Sequence, residues 1–203
     1  MSIKHVWLDF SDTLASINKE LHNQLKYKAY AELTGQPLTP ELKAEYDVLY
    51  TAQISNAAVF QFLGAPANFW TNQLNTLDPN ILYTLVEPNA AQYVQQLRER
   101  VPVSIFSNIQ LDSVLPALGF EPNWFTHILK SKPKPALEGF YKIVELSNLQ
   151  PHKILYVGDQ VGKDILPAKQ VGLTTGLIYS QAPEADYNFE TLQDIFKLLE
   201  SQP

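Results

Sequence analysis

Four places in the chain carry groups suited to moving a phosphoryl group, and most of them stand where an apolar run stops. The run His5-Val6-Trp7-Leu8 ends in Asp9, with Phe10-Ser11-Asp12-Thr13-Leu14 directly behind it. The run Val101 to Phe106 ends in Ser107-Asn108, and Lys153 to Val157 ends in Gly158-Asp159, with Asp164 five residues later. After Phe125 to Leu129 comes Ser131-Lys132-Pro133-Lys134-Pro135. Taken singly these are ordinary. Aspartate and serine after a strand cap turns, and a lysine among prolines is a solvated loop charge. Taken together, Asp9 offers a carboxylate nucleophile, Ser107 a hydroxyl donor, Lys132 a cation, and Asp159 with Asp164 a pair of metal-binding carboxylates. That set is what phosphoryl transfer requires.

Such groups converge only if their strands lie side by side and parallel, because ligands of open α/β sheets bind at the carboxyl ends of the strands. The pattern predicts this. Ile3 to Leu8 reads as a buried strand. From Pro88 onward, helical and strand patterns alternate: helix Pro88 to Arg100, strand Val101 to Phe106, helix Leu111 to Leu118, strand Phe125 to Leu129, helix Leu137 to Leu146, strand Lys153 to Val157, helix Ile165 to Val171, strand Thr174 to Tyr179 and helix Leu192 to Leu199. Repeated strand-helix units predict a doubly wound parallel sheet, an α/β fold of Rossmann-like type. Its expected segments are residues 1–15 and 87–203.

Residues 16–86 break the pattern and read as an inserted α-helical domain without a strand. Leu21, Leu25, Ala29 and Leu33 share a helical face that ends near Gly35, and Thr39-Pro40 gives a cap with proline at the first helical position. Further helices are expected within Ala52 to Leu63, from Pro66 through Leu74, and after Asp78-Pro79. The aromatics Tyr27, Tyr46, Tyr50, Phe60, Phe62, Phe69 and Trp70 are expected mostly to fill the core of this insertion, with one or two left to face a substrate.

The 203 residues carry a formal charge of -6, no cysteine and 45% apolar residues. The acidic balance, with no basic run, argues against nucleic acid and anionic membranes as partners. Absence of cysteine excludes disulfides and thiolate chemistry. No apolar stretch approaches the roughly 20 residues of a membrane helix, and no signal-peptide core is present, so a cytoplasmic protein, monomer or homodimer, is expected. His5, His127 and His152 form no metal spacing, and His22 is expected at the surface of the insertion.

With these residues in hand, the chain resembles the haloacid dehalogenase-like hydrolase superfamily over nearly its full length. The first family motif is matched by Asp9-Phe10-Ser11-Asp12-Thr13-Leu14, the second by Ser107 with Asn108, the third by Lys132-Pro133-Lys134-Pro135, and the fourth by Gly158-Asp159 with Asp164. The resemblance implies a magnesium-dependent phosphatase acting on a small phosphorylated molecule, with a helical cap formed by the insertion. It assigns Asp9 as the nucleophile that becomes phosphorylated, Asp9, the Ser11 carbonyl and Asp159 as Mg²⁺ ligands, and Asp164 as their support. Ser107, Asn108 and Lys132 would bind the phosphoryl group.

One residue departs from the family pattern. Phosphatases of the superfamily place an aspartate two residues after the nucleophile as general acid and base, and here the position is Ser11. A serine hydroxyl does not titrate near neutral pH, and losing such a group costs about 10²–10⁴-fold. Three readings follow: a phosphatase for acyl or aryl phosphates, whose leaving groups need no proton; a catalytically inactive member that binds a phosphorylated ligand or a protein partner; and a carbon-halogen hydrolase, which the Asp159–Asp164 pair disfavours.

Overall fold

The computed structural model describes residues 2–131 and 134–201. The chain divides into two compact units, Met1–Ser16 with Thr84–Pro203, and Ile17–Tyr83.

The first unit begins with β1 (His5–Asp9), buried along its whole length. A short strand β2 (Ala15–Ile17) follows and pairs with β3 (Tyr83–Leu85) in a two-stranded sheet that the helical pattern of this region did not predict. Between these two strands lie the helices of the second unit: α1 (Lys19–Thr34), α2 (Pro40–Gln53), α3 (Asn56–Phe62), α4 (Phe69–Leu74) and α5 (Pro79–Leu82). After β3 the alternation begins: α6 (Ala90–Arg98), β4 (Val103–Ser107), α7 (Val114–Ala117), β5 (Ile128–Lys130), α8 (Leu137–Ser147), β6 (Ile154–Gly158), α9 (Leu166–Gln170), β7 (Thr174–Ile178), β8 (Tyr187–Phe189) and α10 (Leu192–Glu200).

The strands form a six-stranded sheet in the order β5-β4-β1-β6-β7-β8, with every pairing parallel. This is the α/β architecture expected from the alternation. β1 sits between β4 and β6, and all three are buried from end to end, as strands covered on both faces must be. One face packs Trp7, Phe106, Phe140, Ile143, Ile154 and Tyr156 into a single cluster, and the buried Trp7 indole donates to the Ser147 hydroxyl at 2.8 Å. Gly139 on α8 lies so close to the Phe106 ring that a methyl there would overlap it. Gly139→Ala is therefore expected to cost about 1–3 kcal/mol of stability through overpacking.

Several elements differ from their expected form. β8 is an edge strand of three residues, too short to show alternation, and it is preceded by Asp186, whose carboxylate accepts from both the backbone amide and the hydroxyl of Thr175. The helix expected over Leu111 to Leu118 contracts to α7, and α9 is preceded by one π-helical turn, Val161–Ile165.

The second unit is built as its sequence signals direct. The side chains of Asn18, Thr39, Ser55 and Asp78 cap α1, α2, α3 and α5, and Gly35 ends α1 in the left-handed region at φ 69°. α2 runs on to Gln53 and breaks at Ile54, also left-handed at φ 66°. Tyr46, Phe60 and Trp70 are buried as expected, but Tyr50 and Phe62 are 40% and 64% exposed, because they stand near helix ends that so small a core does not cover. His22 is not a free surface residue. It packs edge-on against Trp70 and bonds Asn56 at 3.3 Å, while burial, and then Lys26, push its pKa down.

At the start of β1, His5 is 3% exposed and bonds Ser104 Oγ at 2.9 Å. Burial, followed by the nearby His127, lowers its pKa from 6.5 to about 4. The unfolded chain takes up this proton near pH 6.5 and the folded one only near pH 4, so stability is full above that window and is lost as pH falls through it. Between these values the slope from this one group is at most about 1.4 kcal/mol per pH unit. Urea unfolding between pH 4.5 and 7 is expected to show a slope that His5→Gln makes shallower; equal slopes would remove His5 as its source.

Candidate active site

The sheet order brings the scattered acids together. Asp9 ends β1, its register partner on β4 is Phe106, and Ser107 therefore lies one residue further along the neighbouring strand. On the other side Leu8 pairs with Val157, which puts the Gly158-Asp159 turn beside Asp9. The π-helical turn then carries Asp164 back toward the strand ends. Its carboxylate accepts from the Gln160 amide at 3.1 Å, and a side chain at Gly158 would collide with it. Carboxylate oxygens of Asp9, Asp159 and Asp164 lie within 4.8 Å of one another.

Lys134 meets this cluster. Its ammonium is 2.6 Å from Asp9 Oδ1, 2.7 Å from Asp164 Oδ1 and 3.1 Å from the Tyr156 hydroxyl, with both ion pairs almost fully buried. Asn108 Oδ1 accepts from the Lys134 backbone amide at 3.3 Å, so Asn108 fixes the lysine's backbone. Lys132 lies outside the described residues. Lys134, like Lys132, begins a Lys-Pro pair, and the sequence pattern does not single it out.

Charge is unbalanced in this pocket. Three carboxylates face one ammonium, a formal excess of two negative charges, in a site where Asp9 and Asp164 are 4% and 1% exposed. Burial, together with the neighbouring Asp164, raises the Asp9 pKa to about 7, although Lys134 opposes the rise. Burial, then Asp164 and Asp12, raise Asp159 to about 6. Burial alone would lower the Lys134 ammonium, but Asp9 and Asp164 outweigh it and hold its pKa up. Asp159 Oδ1 is also buried with no hydrogen-bond partner among the described residues. A buried orphan oxygen is costly unless something fills its lone pairs. The charge deficit and the orphan oxygen together fit a divalent cation bound by oxygens.

The remaining candidates flank this centre. Ser107 is buried and its Oγ accepts from the Ile109 amide at 3.2 Å, which leaves its proton to donate. Ser11 is exposed and bridges to Ala15. Asp12 adopts φ 56° and its carboxylate accepts the Ser16 hydroxyl at 2.7 Å. Removing the ammonium would leave buried carboxylates unpaired. Lys134→Ala is thus expected to lower stability by roughly 3–5 kcal/mol, measured by urea unfolding without divalent cation; a loss under about 1 kcal/mol would place the pair in a surface regime.

Known proteins resemble this chain in sequence and in fold. A family model described as haloacid dehalogenase-like hydrolase matches residues 3–172. A curated relative from Methanocaldococcus jannaschii, glyceraldehyde 3-phosphate phosphatase, is 32% identical over 91 residues, a segment covering 41% of this chain and 40% of that protein. Among solved structures, a HAD phosphatase from Thermococcus onnurineus superposes with TM-score 0.78 at 18% identity, covering 98% of this chain and 99% of the other. A 2-haloacid dehalogenase from Pseudomonas syringae superposes with TM-score 0.67 at 16% identity, covering 98% of each chain. At these identities the structural likeness is one of fold. Among the described residues, no helix is long and apolar enough to cross a membrane.

Proposed function

This chain belongs to the haloacid dehalogenase-like hydrolase family, and from that premise we propose that it is a magnesium-dependent phosphatase for a small phosphorylated molecule, working through a phosphorylated Asp9. The observation that carries this reading is the Asp9–Asp159–Asp164 cluster with its net deficit of positive charge around the buried Lys134. A carbon-halogen hydrolase needs no such metal-holding carboxylates. The curated relative's named substrate, glyceraldehyde 3-phosphate, is a small phosphorylated molecule of the proposed kind.

Asp9 and Asp159, with the Ser11 carbonyl, would hold the Mg²⁺, and Asp164 would support it; bound there, the ion supplies the positive charge that lets a phosphoryl group approach carboxylates. The chain's own groups do the rest. An Asp9 carboxylate oxygen forms a bond to phosphorus as the bond to the leaving oxygen breaks, the electron pair going with the leaving group. Water then attacks the same phosphorus, the Asp9 oxygen–phosphorus bond breaks, and phosphate leaves while the water's proton passes to solvent. Lys134 and the free Ser107 hydroxyl proton offset charge on the phosphoryl oxygens, and Asn108 holds the Lys134 backbone in place.

Ser11 shapes the substrate range. It has no titratable proton for a leaving alkoxide, and the Asp12 carboxylate is engaged by Ser16. Acyl and aryl phosphates, whose leaving groups depart as stable anions, are the substrates this site serves. The same Ser11 favours a second reading, a family member that binds a phosphorylated ligand without turning it over.

p-Nitrophenyl phosphate with Mg²⁺ separates the two. Hydrolysis by the wild type that falls by more than about 10³-fold in Asp9→Asn supports the first; no hydrolysis, with beryllium fluoride still bound in the presence of Mg²⁺, supports the second. Undiminished turnover by Asp9→Asn would remove Asp9 from its role. Ser11→Asp is expected to raise turnover of alkyl phosphates by up to about 10²–10⁴-fold, and no gain would mean that a proton donor is already at work. Between Lys132→Ala and Lys134→Ala, the larger loss of turnover is expected at Lys134.

A further inference from the structure

Tyr156 stands in the middle of β6, a strand buried at every position, between Leu155 and Val157. The site asks for bulk. The Tyr156 ring packs edge-on against Phe140 at 5.1 Å and Phe106 at 6.4 Å between centroids, and a phenylalanine would fill the same space. A phenol hydroxyl buried here costs free energy unless it is bonded, so its partners indicate why it is tolerated. It donates to Asp164 Oδ1 at 3.0 Å and accepts from the Lys134 ammonium at 3.1 Å, which uses both of its roles.

The ammonium is used up as well. A lysine has three N–H donors, and those of Lys134 are taken by Asp9 at 2.6 Å, Asp164 at 2.7 Å and Tyr156 at 3.1 Å. Any phosphoryl oxygen that Lys134 is to meet must displace one of them. Asp164 and Tyr156 are bonded to each other, and the Asp164 carboxylate also accepts from the Gln160 amide at 3.1 Å, which fixes it. Asp9 is the partner free to change, since it is the atom source for the new bond. Behind the ammonium, the Phe106 ring centroid lies 5.5 Å away and the Tyr156 centroid 5.9 Å, within cation–π range.

We propose that Tyr156 is a positioning residue for Lys134: with Asp164 it anchors the ammonium at two points while Lys134 exchanges its Asp9 contact for a phosphoryl oxygen. This rests on the phosphatase reading above. The hydroxyl's two bonds are to Lys134 and Asp164, and its effect on the reaction runs through the ammonium they hold.

The test is a double-mutant cycle of Tyr156→Phe and Lys134→Ala, read on p-nitrophenyl phosphate with Mg²⁺. Tyr156→Phe is expected to lower kcat by roughly 10- to 100-fold, the scale of a misplaced catalytic group, with KM changed by less than about threefold. In the Lys134→Ala background the same substitution is expected to change kcat by less than about twofold, because the ammonium that the hydroxyl positions is gone. Losses that multiply in the double variant, or a change in KM alone, would overturn the proposal. The same cycle read on urea unfolding midpoints serves as a second arm. If the wild type hydrolyses nothing, the phosphatase reading fails, and the contact is then judged by this arm, where additive midpoint shifts overturn it.

Discussion

One ammonium held between two buried carboxylates, with a third half-buried beside them, is the constraint on which the rest of the first unit depends. Desolvating Asp9 and Asp164 is costly, and an ion pair in such a place is stable only when geometry and further hydrogen bonds are good. Lys134 meets that condition through two short ion pairs and a phenol, yet the pocket keeps a formal excess of negative charge, and burial first, then the neighbouring Asp164 carboxylate, raises Asp9 and Asp159. The pocket therefore stays assembled while carrying a formal excess of negative charge.

The scaffold exists to bring these groups within reach. A parallel sheet with β1 flanked by β4 and β6 aligns three strand ends in one place, and short turns after them leave polar groups at the rim. Glycines remove side chains where the packing is closest: Gly158 gives way to Asp164 and Gly139 to Phe106, whose ring in turn lies behind Lys134. Packing in the core and charge in the site are thus one problem, since Phe106 and Tyr156 belong to the core cluster and also lie behind the ammonium.

The second unit follows a different logic. Its helices α1, α2, α3 and α5 begin at side-chain caps, and the unit closes around tyrosines, Phe60 and Trp70. A polar thread runs through it, with the Tyr46 hydroxyl donating to Asn56 at 2.7 Å and Asn56 bonding His22. Buried polar groups joined in this way favour one packing over its alternatives, which suits a small core that aromatic bulk alone would leave adaptable.

Periodicity in the sequence determined the alternating core and the helical second unit, because burial on both faces writes apolar runs and caps write Asn, Thr, Ser and Asp at helix starts. It also marked Asp9, Asp159 and Asp164, since an acid directly after a buried strand or its turn is visible locally. Short strands such as β2, β3 and β8 were hidden, because three residues carry no period and their pairing joins distant segments. The lysine was decided only in three dimensions. Lys132-Pro133 and Lys134-Pro135 are the same dipeptide, and the path of the chain from β5 into α8 brings Lys134 to the acids. Tyr156 was likewise silent, for a tyrosine in an apolar strand reads as core until the partner of its hydroxyl is seen. Local sequence specifies which groups are present, whereas contacts between residues far apart in the chain decide which of them share a proton, a charge or a ligand.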